Sequence, residues 1–321
     1  IAALIIIGYT FLGGFSAVCW TDFFQGLLIL GAMLIAPLFV LTTAEALNFS
    51  AITSETTGFW NPISDWKSIV SGLSWGLGYF GMPHIIIRFM SLRSQKELKK
   101  SAKIGISWTV IILIFATLIG IVGRADLGYD AVIEAKGLVF INMVRKYFPA
   151  ILSGLLLSAV LAASMSTADS QLLAASSSFA SDVYKPLIRK NKAGDKEMLW
   201  AGRIVVLVIS VIAVLIASNP NSGTIMDLVE NSWGVFGAAF GPTILLSLFW
   251  KRFNFAGAVA GIIVGALTDV LWFIFLSSTG IYEILPGFVL SLIAAIIATL
   301  ITKKPSADIE ALYDKATEIE A

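Results

Sequence analysis

The chain has 321 residues, 57% hydrophobic and 13% charged, where an ordinary soluble domain carries roughly 25% charged residues. That balance excludes a water-soluble globule, and a net charge of +1 from 22 Lys and Arg against 21 Asp and Glu leaves no basic surface for nucleic acid. One cysteine, Cys19, rules out an intrachain disulfide, and one histidine, His84, leaves no His cluster for a metal or a proton relay.

The mean hydropathy of +0.87 is spread along the chain, and apolar stretches near 20 residues recur, each long enough for a hydrocarbon core of about 30 Å. Hydropathy predicts nine membrane helices, near 2–17, 22–42, 68–88, 104–123, 149–180, 200–218, 229–250, 256–277 and 284–302. The expected fold class is an all-α multi-span protein of the lipid bilayer. One alternation of the connections collects all the Lys and Arg except Lys67, Arg124, Lys136, Arg145 and Lys146 on one side. By the positive-inside rule that side is cytoplasmic, which puts the tail 305–321, a short amphipathic helix, in the cytoplasm of a cell (plasma or inner) membrane protein. Apolar sequence begins at Ile1 with no initiating Met, basic leader region or cleavage site, so further sequence is expected before it.

In chain order, the first polar intrusion is Asp22. Thr21 in front of it reads as an N-cap, with the acid in the first turn of a span opening at the cytoplasmic side. A role in ion passage is the competing reading, because a carboxylate near a bilayer is costly. Asn48-Phe49-Ser50 fits a glycosylation pattern but is short enough to arise by chance. The stretch Ser71–His84 is a poor helix: glycines at 72, 76, 78 and 81 and Pro83 remove side-chain support and a backbone donor. Carbonyls freed in mid-membrane are tolerated only where they line a cavity, and broken helices of this kind build substrate sites in secondary transporters. Trp75 and Tyr79, four apart, face one way and suit the wall of a small organic substrate, although aromatic packing accounts for them equally well. The connection 124–148, with Asp126, Asp130 and Glu134, reads as an interfacial or lid-like segment.

The span 149–180 is richest in polar residues. Ala163, Ser166, Thr167, Ser170 and Gln171 follow a helical spacing and share one face. Two adjacent hydroxyls beside a small Ala, whose carbonyl can be approached, suit a dehydrated sodium ion; hydroxyls bonding back to the preceding turn, or helix packing, explain the same pattern. Asp169 lies about 100° off this face, at a helix contact or near the cytoplasmic exit. Gly234, Phe236–Gly241 and Pro242 form a Gly-x-x-x-Gly stretch that reads as close helix packing.

Five stretches together resemble the sodium:solute symporter family, and within it its sodium/proline symporters. They are Tyr9–Gln25, Trp75–His84 with Arg88-Phe89-Met90, Met165–Leu173, Phe236–Pro242, and Gly257-Ala258 shortly after Trp250-Lys251-Arg252. The resemblance runs in order from Ile1 to about Lys304. It implies a LeuT-type pair of inverted five-helix repeats. Residues 1–42 would end repeat one, 68–250 would form repeat two, and 256–302 would be added helices, all within a transporter domain 1–304. The first helices of repeat one would then lie outside this chain. The resemblance further implies sodium ligation by the Ala163 carbonyl and the hydroxyls of Ser166 and Thr167. It assigns Asp22 to sodium coupling, and Trp75, Tyr79 and Pro83 to the proline site. Met82 departs from the Gln of some relatives, which bears on fine substrate selectivity.

The function so implied is sodium-coupled proline import by alternating access, with sodium as co-transported ligand and no cofactor. The alternatives are a symporter of the same family for another small organic solute, and a sodium-gated sensor. An enzyme is not expected, because no zinc-protease or phosphate-loop motif and no nucleophile with a base is present, and no channel filter is visible.

Overall fold

A computed structural model describes residues 2–318 apart from 57, 62, 64 and 220. Ile1 and the last three residues of the tail therefore lie outside the described residues. The described residues form helices α1 (Ala2–Thr43), α2 (Phe49–Glu55), α3 (Trp66–Gly78), α4 (Pro83–Met90), α5 (Gln95–Leu127), α6 (Tyr129–Glu134) and α7 (Val139–Tyr147). There follow α8 (Ala150–Ser178), α9 (Asp195–Ala217), α10 (Ile225–Phe249), α11 (Phe255–Leu276), α12 (Ile284–Ile301) and α13 (Ala307–Glu318). Between α8 and α9 the helix continues in wider π turns over Phe179–Ile188.

Seven helices among the described residues are long and apolar enough to cross a membrane, so this is a multi-pass membrane protein. Nine spans were expected, and the difference lies in two stretches. Residues 2–17 do not end where polarity rises at Thr21-Asp22; the helical path breaks earlier, at Gly14, where φ is 61°. An L side chain is strained at that φ, and glycine is not. Residues 68–88 are two short helices, α3 and α4, as the glycines and Pro83 lead one to expect. Side chains such as Ile151, 90% exposed, and Phe255, 84% exposed, face outward from the bundle, which suits lipid and not water.

The chain forms two compact units, Ile1–Asn61 with Ser91–Ser218, and Pro62–Met90 with Asn219–Ala321. The proposed repeat two contributes segments to both. In the first unit α1 lies against α8, α7 and α5. Small residues Ala32, Ala36 and Ala159 let α1 and α8 approach, with Leu156, Val144 and Phe148 filling beside them. Val40, Ile119, Val122 and Met143 form a second core where α1, α5 and α7 meet. The connection 124–148 is mostly helical. Arg124 bonds Thr56 at 2.6 Å, lies 3.7 Å from Glu55 and rests over the rings of Phe59 and Tyr129. Asn48 is an N-cap: its Oδ1 accepts the Ala51 N–H at 2.9 Å.

In the second unit α10, α11 and α12 pack together, with α3 against α10 and α12. Helix starts are capped by side chains. Asp65 accepts from Lys67 and Ser68, Thr224 and Asp227 form a reciprocal capping box, and Asn254 accepts from Gly257 at 2.9 Å. Gly257, Gly261 and Gly265 line one face of α11, where Thr299, Ala295 and Ser291 of α12 and Ala238 of α10 come close. Ser291 donates to the Gly261 carbonyl at 2.8 Å. The amphipathic α13 is tied back by Lys251 and Asp314, 2.6 Å apart; the carboxylate holds the lysine's proton and raises its pKa.

Candidate functional site

In the first unit, the site residues read from the sequence gather on α8. The hydroxyls of Ser166 and Thr167 both donate to the carbonyl oxygen of Ala163, at 3.1 Å each. Three oxygens thus crowd one turn of one helix face. The back-bonding alternative and the ion-site alternative describe the same atoms: hydroxyls that rest on a preceding carbonyl need only rotate to present their lone pairs with that carbonyl to a cation.

One turn further on, Ser170 is 8% exposed and donates to the Ser166 carbonyl at 2.7 Å. Its hydroxyl also stands 3.4 Å from a carboxylate oxygen of Asp22 and 3.3 Å from one of Asp169. Asp22 is therefore joined to the α8 face by Ser170. The N-cap reading of Thr21 is corrected by its geometry. The Thr21 hydroxyl donates to the carbonyls of Val18 and Ala17, at 2.9 and 3.2 Å, so the helix is already formed there and Asp22 sits within it. The polarity of Thr21-Asp22 had looked like a helix start because polarity, not backbone conformation, is what hydropathy registers.

Asp169 is the residue sequence reasoning undervalued. It is fully buried and accepts the phenol proton of Tyr9 at 2.5 Å, from the part of α1 before the Gly14 break. No periodicity within α8 signals a partner 160 positions away. Among the described residues no three His, Cys, Asp or Glu side chains are grouped to hold a metal. The oxygens about Ala163 and Ser170 are hydroxyls, carbonyls and two separate carboxylates, a set suited to a weakly held monovalent cation.

In the second unit, α3 ends at Gly78 and α4 starts at Pro83, whose fixed φ and missing N–H suit a first helical position. Between them the Gly81 N–H bonds the Gly78 carbonyl at 3.0 Å, and Met82, 5% exposed, packs inward. The Trp75 ring lies 6.2 Å from Trp233 and 5.3 Å from Tyr282, and the Tyr79 ring meets Trp233 edge-on at 4.9 Å. Trp75 and Tyr79 thus share a face, as their spacing implies, with Tyr79 half exposed beyond the helix end. Neither Trp233 nor Tyr282 was singled out from the sequence; Trp233 follows Glu230-Asn231-Ser232 and Tyr282 precedes Glu283, and nothing in those neighbours signals which rings they meet across the fold.

The chain is similar to known transport proteins. An osmoregulated proline transporter of Bacillus subtilis (strain 168) is 44% identical over 310 residues, 94% of this chain and 62% of that protein. A sodium/proline symporter of Staphylococcus aureus is 41% identical over 334 residues, 99% of this chain and 65% of that protein. The chain thus spans less than two thirds of the length of these curated relatives. Among solved structures, a sodium-coupled sialic acid symporter in a substrate-bound outward-open state matches with a TM-score of 0.73, covering 95% of this chain and 66% of that one. Its 22% sequence identity makes this a likeness of fold. A profile of the sodium:solute symporter family matches residues 1–265, taking in the broken helix α3–α4 and the hydroxyl face of α8, and the chain belongs to that family.

Proposed function

We propose that the protein of which this chain forms the described part imports proline, driven by sodium entering down its gradient. The observation that carries the reading is the meeting of the Ser166 and Thr167 hydroxyls at the Ala163 carbonyl, in a chain whose relatives are named for proline transport. A sodium ion must replace its hydration shell oxygen by oxygen, and these three supply one side of the replacement. Asp22, linked through Ser170, draws the cation toward that face and is the coupling acid.

Trp75, Tyr79 and Pro83 shape the substrate site. The two rings offer a desolvated wall to the apolar pyrrolidine, and the break after Gly78 supplies backbone groups for the charged end of a zwitterion. Coupling is then a shared conformational free energy: sodium and proline each favour the occluded state, so each strengthens binding of the other. The inverted-repeat arrangement proposed from the sequence, with residues 1–42 closing repeat one and 68–250 forming repeat two, gives alternating access its two moving parts. The distribution of Lys and Arg supports a cytoplasmic C-terminal tail.

The test is radiolabelled proline uptake by the full-length protein in liposomes under an imposed sodium gradient, with a panel of small organic solutes as competitors. Uptake that needs the gradient and is displaced best by proline is the expected result. Gradient-independent uptake overturns the coupling, and stronger displacement by another solute overturns the substrate.

A further inference from the structure

The helix that carries Trp75 ends at Gly78, just before Tyr79, and its end has to be completed by something. A helix leaves its last four carbonyls without N–H partners, and in a bilayer core no water supplies them. In α3 those carbonyls belong to Trp75, Gly76, Leu77 and Gly78, of which Gly78 is met by the Gly81 N–H at 3.0 Å. The Trp75 carbonyl accepts a hydrogen bond from the indole Nε1–H of Trp233, on α10, at 2.9 Å. A tryptophan N–H is a donor only, so this bond has one polarity and one partner type.

The same indole lies against both rings of the proposed substrate wall. It is tilted 33° to Trp75 and stands at 84° to Tyr79. Gly78, the last residue of α3, lies directly beneath it: a Cβ there would collide with the Trp233 ring, so glycine is required for the indole to reach the carbonyl. The Trp75 ring also lies 5.3 Å from Tyr282, tilted 32°, whose own hydroxyl donates to the Glu230 carbonyl of α10 at 2.8 Å. Trp75 thus meets two aromatic rings, both anchored to α10.

We propose that Trp233 is a positioning residue for substrate selectivity: through its bond to the Trp75 carbonyl and its contacts with both rings, it sets where Trp75 and Tyr79 stand. The proposal rests on the reading of those two residues as the substrate wall. Trp233 acts through them and not on substrate directly. Its removal therefore changes substrate affinity and discrimination, and leaves the sodium constant and the maximal rate in place.

The experiment uses the full-length protein in liposomes, with proline uptake measured for Trp233→Phe, Trp233→Ala, Trp75→Ala, Tyr79→Ala and the Trp75→Ala/Tyr79→Ala double variant with and without Trp233→Phe. Rates are normalised to protein in the membrane. Trp233→Phe keeps a ring of similar breadth and deletes the donor, so it decides the matter if Trp233→Ala fails to fold. Stranding one carbonyl is expected to raise the apparent KM for proline about fivefold in Trp233→Phe. In the ring-deleted background the same substitution is expected to change KM no further, because nothing remains to be positioned; proline binding to purified protein replaces uptake if that background transports too slowly.

An unchanged KM in Trp233→Phe, a fall in maximal rate alone, or the same fivefold effect persisting without the rings would overturn the positioning role. Failure of the underlying reading looks different. If Trp75→Ala and Tyr79→Ala leave KM unchanged, the wall itself is misassigned, and Trp233 loses its role with it.

Discussion

The phenol of Tyr9 donates to a carboxylate oxygen of Asp169 at 2.5 Å, joining two residues 160 positions apart in one buried hydrogen bond. Tyr9 precedes the Gly14 break in α1, and Asp169 is fully buried on α8. The bond therefore pins the first leg of α1 to the helix that bears the oxygen face. Tyr9→Phe leaves Asp169 short of its donor without changing the packing of the ring. The expected loss is about 1–3 kcal/mol, the range for stranding a buried polar group, read as a lower melting temperature of the full-length protein in detergent. An unaltered melt would mean that the bond contributes nothing to holding the leg in place.

Ser166→Ala and Thr167→Ala each remove one oxygen of the proposed sodium face while keeping the helix. Half-saturating sodium for proline uptake is expected to rise about tenfold in each, equivalent to about 1.4 kcal/mol. Protein abundance in the membrane should stay level, since only a back-bond to Ala163 is lost. A sodium titration that superimposes on the parent in both variants removes these hydroxyls from the ion site.

Asp22→Asn separates ion passage from a helix-end role, and the geometry already disfavours the second, because Thr21 bonds back to Val18 and Ala17 within a formed helix. A carboxylate balancing a helix end is worth about 0.3–1 kcal/mol. A larger effect is expected here: sodium stimulation of uptake largely lost, while sodium-independent proline binding to purified protein survives. Stimulation within a few-fold of the parent would return Asp22 to a structural part.

Much of this site was legible in the residues themselves. The spacing of Ala163, Ser166 and Thr167 gave one face, and the glycines before Pro83 gave the break between α3 and α4, because both are local properties of a helix. The pairing of Asp169 with Tyr9 and the capping of Trp75 by Trp233 were not legible, since each depends on which helices touch. The Gly14 break was hidden for another reason: Gly13-Gly14 sits in an apolar run, where hydropathy stays high while φ turns positive.

Glu283 precedes α12 and is 7% exposed. Burial raises its carboxyl pKa and the neighbouring Glu230 adds to the rise, against a lowering by its own backbone N–H. The folded state thus keeps this proton to a higher pH than the unfolded chain does. Its contribution to stability is most favourable below the unfolded carboxyl range and is lost as pH rises through the folded value. Glu283→Gln is accordingly expected to raise the melting temperature at pH 7.5 and to have little effect near pH 4. An equal gain at both pH values would show that the charge is not the cause.

The glycines of α11 have a consequence for handling the protein. Lipid tails and detergent tails are about equally apolar, so helices in either medium gain little from hiding apolar side chains from them, and association rests on close backbone contact. At Gly257, Gly261 and Gly265 the contact with α10 and α12 is made by backbone and short side chains, with a hydroxyl of Ser291 bonded across it. An amphiphile has no room to wedge into such a seam and no better partner to offer its atoms. The α10–α12 cluster should consequently survive extraction from the bilayer as one body, and limited proteolysis in detergent should release it intact after longer helices such as α5 have been cut.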